Sequence, residues 1–266
     1  MSVAYRSGWE APWFPWVMLF SIIFSIVMSL ILLVILLQKK RHRQLLKEMF
    51  PSSALKRKLR NQIAVDRYEM VTVCFCDIVG FTNLCSNMRP IQVIQMINSL
   101  YVRFDKLAEK HNVYKMRIIG DAYMCVAGCP YKCTDVEGAE RIALFSLELI
   151  EIVKQFRMDD GTQILVRVGI HSGSAIGGFV GTSRPWYNLF GKTVDIASSM
   201  ETYSEPMRIL CSASTYRFLL SSHKRFIFSN DRLSKFTTDE EKLKARFLEG
   251  VSLKDRRVSL RSFTVP

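Results

Sequence analysis

The sequence predicts an α+β fold: a ferredoxin-like β-α-β-β-α-β unit preceded by a single transmembrane helix and a helical linker. Three observations carry that expectation. The run from Trp16 to Leu37 contains no charged residue. From Val71 onward, period-2 and period-3.6 apolar patterns alternate in the order a ferredoxin-like unit requires. A Thr134-x-x-Glu137 capping box opens the second of two long helical stretches.

At 1.5 Å per residue the Trp16–Leu37 run would span about 33 Å, enough to cross a bilayer. A buried core helix and a cleaved signal peptide compete with that reading. A soluble domain rarely buries such a helix on every side. A signal peptide carries its basic residues ahead of the apolar run, whereas here Lys39, Lys40, Arg41 and Arg43 follow it. Arg6 and Glu10 cancel on the other side. The positive-inside rule then puts residues 1–15 outside, as a short extracytoplasmic segment, and everything after Gln38 in the cytosol. Trp9, Trp13 and Trp16 would lie at the outer interface. So short an external segment is too small for a folded sensor domain.

Residues 38–65 read as a basic juxtamembrane segment and a helical linker interrupted at Pro51. Leu45, Leu46, Met49 and Phe50 supply an apolar stripe suited to packing on the domain, to dimerising, or to both. Val71–Cys76 is the first strand. Pro90–His111 follows as a helix, with Ile94, Ile97, Leu100, Tyr101, Phe104 and Leu107 at helical spacing and Pro90 in its first turn. Val113–Ile119 and Ala122–Val126 form a hairpin turning at Gly120-Asp121. The capped helix runs to about Phe156, and Ile164–His171 returns as a strand. The stretch GIHSGSAIGGFVG is not a Walker loop, because no Gly-Lys-Ser/Thr closes it; its glycines are expected to bend the backbone between strands. His171 is expected to be structural, since nothing nearby in sequence completes a triad or metal set.

The net charge of +13 invites a nucleic-acid reading, and its distribution argues against one. Nine Lys and Arg stand against one Glu between Lys39 and Arg60, and eleven against six acids between Lys224 and Arg261, while the block Asn61–His223 balances sixteen against sixteen. Much of the excess would thus meet anionic lipid headgroups, and no nucleic-acid motif accompanies it. The seven cysteines would face the cytosol as free thiols. Cys125, Cys129 and Cys133 recur every fourth residue, but zinc pairs are more closely spaced and no His lies nearby, so zinc is not expected.

Two stretches carry the chemistry, FCDIVGFTNLC (75–85) and YKMRIIGDAYM (114–124). Each sets an aspartate, Asp77 or Asp121, at the edge of an apolar run. Taken singly, these are equally well an ordinary strand-end and an ordinary turn residue. If the strand ending at Asp77 pairs beside the hairpin, the two carboxylates converge at one sheet end and suit a divalent metal. The residues after Asp77 turn into a glycine-containing loop and a helix start, which offers N–H groups to phosphate oxygens. Metal-assisted phosphoryl or nucleotidyl transfer is the implied chemistry.

The blocks VTVCFCDIVGFTNLC, VYKMRIIGDAYMCVAG, RVGIHSG and LFGKTVDIASSMET resemble, in order, successive blocks of the class III nucleotide cyclase catalytic domain. The guanylyl cyclase branch is the closer match. LLKEMFPSSALKRKL resembles the helix that precedes this domain in eukaryotic guanylyl cyclases. The likeness runs from about Gln44 to the C-terminus, is strongest from Val71 to Tyr203, and fades after Ser221. It implies that residues 66–266 form a cyclase catalytic domain, a lyase for signal transduction that converts GTP to cyclic GMP and pyrophosphate with two Mg²⁺ or Mn²⁺ ions. ATP stays open as an alternative substrate. It further implies a dimer whose active sites straddle the interface.

Position by position, the resemblance assigns the metal to Asp77, Asp121 and Ile78. It assigns the triphosphate to Ile78, Val79, Gly80, Phe81 and Thr82, to Arg167, and to Lys254. Asp77, Asp121 and Arg167 form the catalytic set. The opposite face departs from the family pattern. Guanylyl cyclases carry Glu where this chain has Arg117 and Cys where it has Asn188; adenylyl cyclases carry Lys and Asp there. Asp195 replaces the asparagine, and Ser199 the arginine, that steady the transition state. A homodimer would therefore join one intact face to one depleted face in every site, whereas a heterodimer with a second cyclase chain could assemble one complete site. The alternative is a catalytically degenerate partner that dimerises with or regulates an active cyclase.

Overall fold

The computed structural model describes residues 13–49, 65–158, 161–181, 186–229, 245–253 and 256–259. The chain divides into two compact units, Met1–Lys56 and Arg57–Pro266. In the first, helix α1 spans Phe14–Met49. It runs through the basic flank rather than stopping at Leu37, and its Trp16–Arg41 portion is long and apolar enough to cross a membrane. The expected break at Pro51 and the rest of the linker to residue 64 lie outside the described residues.

The second unit begins with strand β1 (Val65–Ile78), the short helix α2 (Phe81–Ser86) and helix α3 (Pro90–Lys110). The hairpin β2 (Tyr114–Ile119) and β3 (Ala122–Ala127), helix α4 (Asp135–Gln155) and strand β4 (Val166–Val180) follow. Then come β5 (Trp186–Phe190), α5 (Lys192–Tyr203), β6 (Ile209–Cys211), α6 (Ala213–Leu220), β7 (Arg225–Phe228), β8 (Arg246–Leu253) and β9 (Arg256–Ser259). One nine-stranded sheet runs β2-β3-β1-β4-β6-β8-β7, with β5 on β4 and β9 on β8. Its first four strands have the ferredoxin-like order, all antiparallel to their neighbours.

Period-2 alternation divides this sheet into two faces with different tasks. Cys74, Cys76 and Ile78 of β1 and Val166, Val168 and Ile170 of β4 enter the main core, under Leu100 and Phe104 of α3 and Ile142 and Leu149 of α4. The residues between them, Asp77 of β1 and Arg167 and Gly169 of β4, point to the other face. Helix α5 covers that face with Thr193, Ala197, Met200 and Glu201. The approach is close: a Cβ on Gly169 would lie 1.9 Å from the Glu201 amide nitrogen.

That contact corrects the reading of the glycine-rich run. Its first four glycines do not bend the chain between strands. Gly169, Gly173, Gly177 and Gly178 lie within one strand of 15 residues, where Gly169 admits α5 and Gly177 clears space for the Tyr187 hydroxyl, 2.2 Å from where its Cβ would be; Gly181, just past the strand with φ 91°, is the one that turns the chain. The Thr134 hydroxyl accepts from the Glu137 amide at 3.3 Å and caps α4. His171 is buried, with Nδ1 2.7 Å from Ser212 Oγ, the cap of α6. All seven cysteines are free.

Candidate active site

In the β1–β3 ladder Cys76 lies opposite Tyr123, which brings the end of β1 alongside the hairpin turn. The turn is tight: Ile119 pairs with Ala122, leaving only Gly120 and Asp121 between them. Gly120 takes a left-handed φ of 65°, a conformation that costs glycine little. Helix α3 holds the turn from behind. The Tyr101 hydroxyl donates to the Asp121 backbone carbonyl, and the Tyr101 ring packs on Tyr123 at 5.5 Å. The Tyr123 hydroxyl in turn donates to Asp105 at 2.8 Å.

As a result the side chains of Asp77 and Asp121 come within hydrogen-bonding reach of each other. Partial burial, and then Asp77 beside it, push the Asp121 carboxyl up to about 6; its own amide and that of Ile78 oppose the rise. Arg167 lies directly opposite Asp77 in the β1–β4 ladder. Its Nη2 is 3.1 Å from Asp77 Oδ2 and 2.9 Å from Glu201 Oε1. The Glu201 contact is off-axis for a hydrogen bond, so its attraction is coulombic. Burial pushes Glu201 up to about 7 against the pull of Arg167. Arg167 Nε is buried without an acceptor, which costs free energy until one arrives.

This donor set fits a hard divalent cation. Two carboxylates that repel each other gain from a shared positive ion, and Mg²⁺ typically takes one or two carboxylates plus substrate phosphate oxygens. Among the described residues no group of three or more His, Cys, Asp and Glu is placed to hold a metal by itself, so the pair suits an ion that a nucleotide helps to ligate. Ile78 would contribute its backbone carbonyl.

The loop beyond Asp77 is narrower in its offer than its sequence suggests. The Val79 amide already donates to the Leu165 carbonyl at 2.9 Å. Gly80, with φ 68°, caps α2, which leaves the amides of Gly80, Phe81 and Thr82 at the helix start without carbonyls behind them. Lys254 lies outside the described residues. Of the divergent positions, Arg117 of β2 donates through Nη1 to Asn188 Oδ1 of β5 at 2.9 Å. Asp195 and Ser199 lie one turn apart on α5, where the Ser199 hydroxyl donates to the Asp195 carbonyl. A cavity of 1020 Å³ lies elsewhere, between the first half of β1 and the start of α5, and Asp77, Asp121, Arg167 and Glu201 do not line it.

Sequence reasoning did not single out two contributors, Tyr101 and Glu201. Tyr101 reads as one more member of the apolar stripe of α3. Glu201 had a signal: it falls at i+4 from Ala197 and follows Met200, an acid on the apolar stripe of its helix.

Residues 63–249 match the family described as the adenylate and guanylate cyclase catalytic domain. Guanylate cyclase soluble subunit alpha-1 of Canis lupus familiaris is 42% identical over 193 residues, covering 72% of this chain and 28% of that protein. Guanylate cyclase 2G of Rattus norvegicus is 40% identical over 186 residues, 69% of this chain and 17% of that one. The chain thus spans less than a third of the length of these relatives. Among solved structures, the guanylyl cyclase domain of the RhoGC fusion protein from Blastocladiella emersonii superposes with a TM-score of 0.63 at 33% identity, over 71% of this chain and 98% of that one. The catalytic core of a rhodopsin-guanylyl cyclase with converted specificity, in complex with ATPalphaS, gives 0.62 at 33% identity over 69% and 97%. The family match over residues 63–249, with relatives of about 40% identity over most of the same span, makes this chain a member of the adenylate and guanylate cyclase catalytic-domain family.

Proposed function

We propose that this chain is a membrane-anchored guanylyl cyclase subunit that supplies the metal-binding half of a site shared across a dimer interface. The assembled site would convert GTP to cyclic GMP and pyrophosphate. One observation carries the reading: Asp77, Asp121 and Arg167 gather at one sheet end, while Arg117, Asn188, Asp195 and Ser199 lack the groups the opposite face needs. Bound at Asp77, Asp121 and the Ile78 carbonyl, two Mg²⁺ or Mn²⁺ ions would supply Lewis-acid activation of the ribose 3′-hydroxyl and neutralise charge at the α-phosphate. Arg167 turns from Asp77 to the triphosphate, where its unpaired Nε finds an acceptor. The amides of Gly80, Phe81 and Thr82 face the same oxygens. Tyr101 keeps the Asp121 turn fixed throughout.

The chain's other face works against a homodimer. Asp195 would place an acid near developing negative charge, and Ser199 supplies no cation; losing one such donor costs about a hundred- to a thousandfold in rate. A heterodimer with a cyclase chain bearing Asn and Arg there is the favoured assembly. ATP is the alternative substrate, since Arg117 leans toward the adenylyl pattern. Helix α1 would anchor the chain with its N-terminus outside and the domain cytosolic. The departures at Asp195 and Ser199 equally favour a second reading, a non-catalytic partner that regulates an active cyclase.

The test is purification of this chain from native membranes, followed by assay of whatever cyclase chain accompanies it. The expected pair makes cyclic GMP from GTP and loses that activity with Asp77→Ala in this chain. A pair equally active with Asp77→Ala would move the chain to the regulatory reading.

A further inference from the structure

We propose that Glu201 is a positioning residue for Arg167: it keeps the guanidinium at the mouth of the metal site when a divalent cation takes Asp77. The assignment rests on the half-site reading above. Arg167 Nη2 is shared between two carboxylates, Asp77 Oδ2 at 3.1 Å and Glu201 Oε1 at 2.9 Å. Their fates differ once the site fills. A cation on Asp77 competes directly with the guanidinium, whereas Glu201 is held by its helix. Its backbone presses on β4 at Gly169, two residues from Arg167 and on the same face. Glu201 is 7% exposed, and Arg167 is the cation that offsets its burial.

The geometry therefore gives Arg167 one anchor that yields and one that does not. Without the second, Asp77 is the only carboxylate paired with the guanidinium, and an incoming cation must displace the arginine to bind. Loss of Glu201 should then weaken the cation and the triphosphate together, through Arg167.

Binding of Mn²⁺ and of 3′-deoxy-GTP, which cannot cyclise, to the full chain in detergent tests this, with Mn²⁺ followed by its paramagnetic resonance signal. Glu201→Gln keeps the shape and removes the charge; it should weaken Mn²⁺-dependent analogue binding about tenfold. Glu201→Asp keeps the charge on a shorter arm and should recover to within about threefold of the parent. In an Arg167→Gln background, Glu201→Gln should add nothing, because the two residues act as one unit. A thermal melt of each variant reports its fold, and Glu201→Ala, which also removes the charge, run through the same cycle serves should the glutamine chain not fold. Equal losses with and without Arg167, or a charge-removing Glu201 variant that binds like the parent, would overturn the assignment while leaving the half-site reading intact. A parent chain that binds neither Mn²⁺ nor the analogue overturns both.

Discussion

Burial first, and the neighbouring Asp77 second, raise the Asp121 carboxyl to about 6. An acid raised in the folded chain stabilises it fully below the unfolded value near 4, and that stability is lost as pH rises through 6; Glu201, raised to about 7, has the same sign. The metal-free chain should therefore melt lower at pH 7.5 than at pH 5. Discounted for the exposure of Asp121, the effect is about 1 kcal/mol, or about 2–4 °C. Asp121→Asn should flatten this slope, and Mn²⁺ should reverse it at neutral pH; a parent melt that rises with pH would contradict the account. Asp77→Ala should cost Mn²⁺-dependent analogue affinity at least roughly 100-fold, the upper end for losing even an outer partner of a metal ligand. Equal binding by the parent in the presence of a chelator would point to the regulatory partner. Asp77 and Asp121 were legible in sequence because each stands at the edge of an apolar run, whereas Arg167 was named only through the family resemblance of RVGIHSG. Tyr101 was not, and Glu201 showed only as an acid on an apolar stripe. Their roles depend on how a helix is rotated against a sheet built from distant segments.

The junction of β4 and α5 is where packing becomes chemistry. Gly169→Ala should destabilise the chain by about 2–3 kcal/mol, read as a lower melting temperature, because the added methyl meets backbone that cannot step aside. It should also displace Glu201 and with it Arg167, so analogue binding should fall further than the melt alone explains. The divergent face makes a separate prediction. Arg117→Glu, Asn188→Cys, Asp195→Asn and Ser199→Arg together should switch on cyclic GMP synthesis by the homodimer, and single changes should do little, because such groups are not additive. A fourfold variant that folds and dimerises yet stays inactive would sink the half-site account. Periodicity located β1 to β4, α3 and α4 and their order. It missed the first turn of pairing in β1, Val65–Met70, and the second half of β4, because neither VDRYEM nor GSAIGGFV alternates cleanly. Partner strands define both.

Charge and hydropathy act on the molecule at large. The uncharged run and its one-sided basic flank predict that protease outside sealed, right-side-out vesicles leaves the cyclase domain intact; digestion from outside would reverse the topology. Within that domain, β4 sets a length as well as a face. It carries Arg167 near its start, and eleven positions on, at Gly178, it pairs with Asn188. One residue inserted between Ile170 and Ile176 would leave Arg167 beside Asp77 but turn Ala175 and Gly177 to the opposite side of the sheet. Tyr187 would then lose the space its ring occupies. Two inserted residues would restore the alternation yet slide the β5 arm about 6.7 Å along its track. The β5 arm and the acidic pair are thus spaced by counting, like notches on a gauge. The identities of Arg117 and Asn188 leave that spacing unchanged, whereas the number of residues between the two stations sets it.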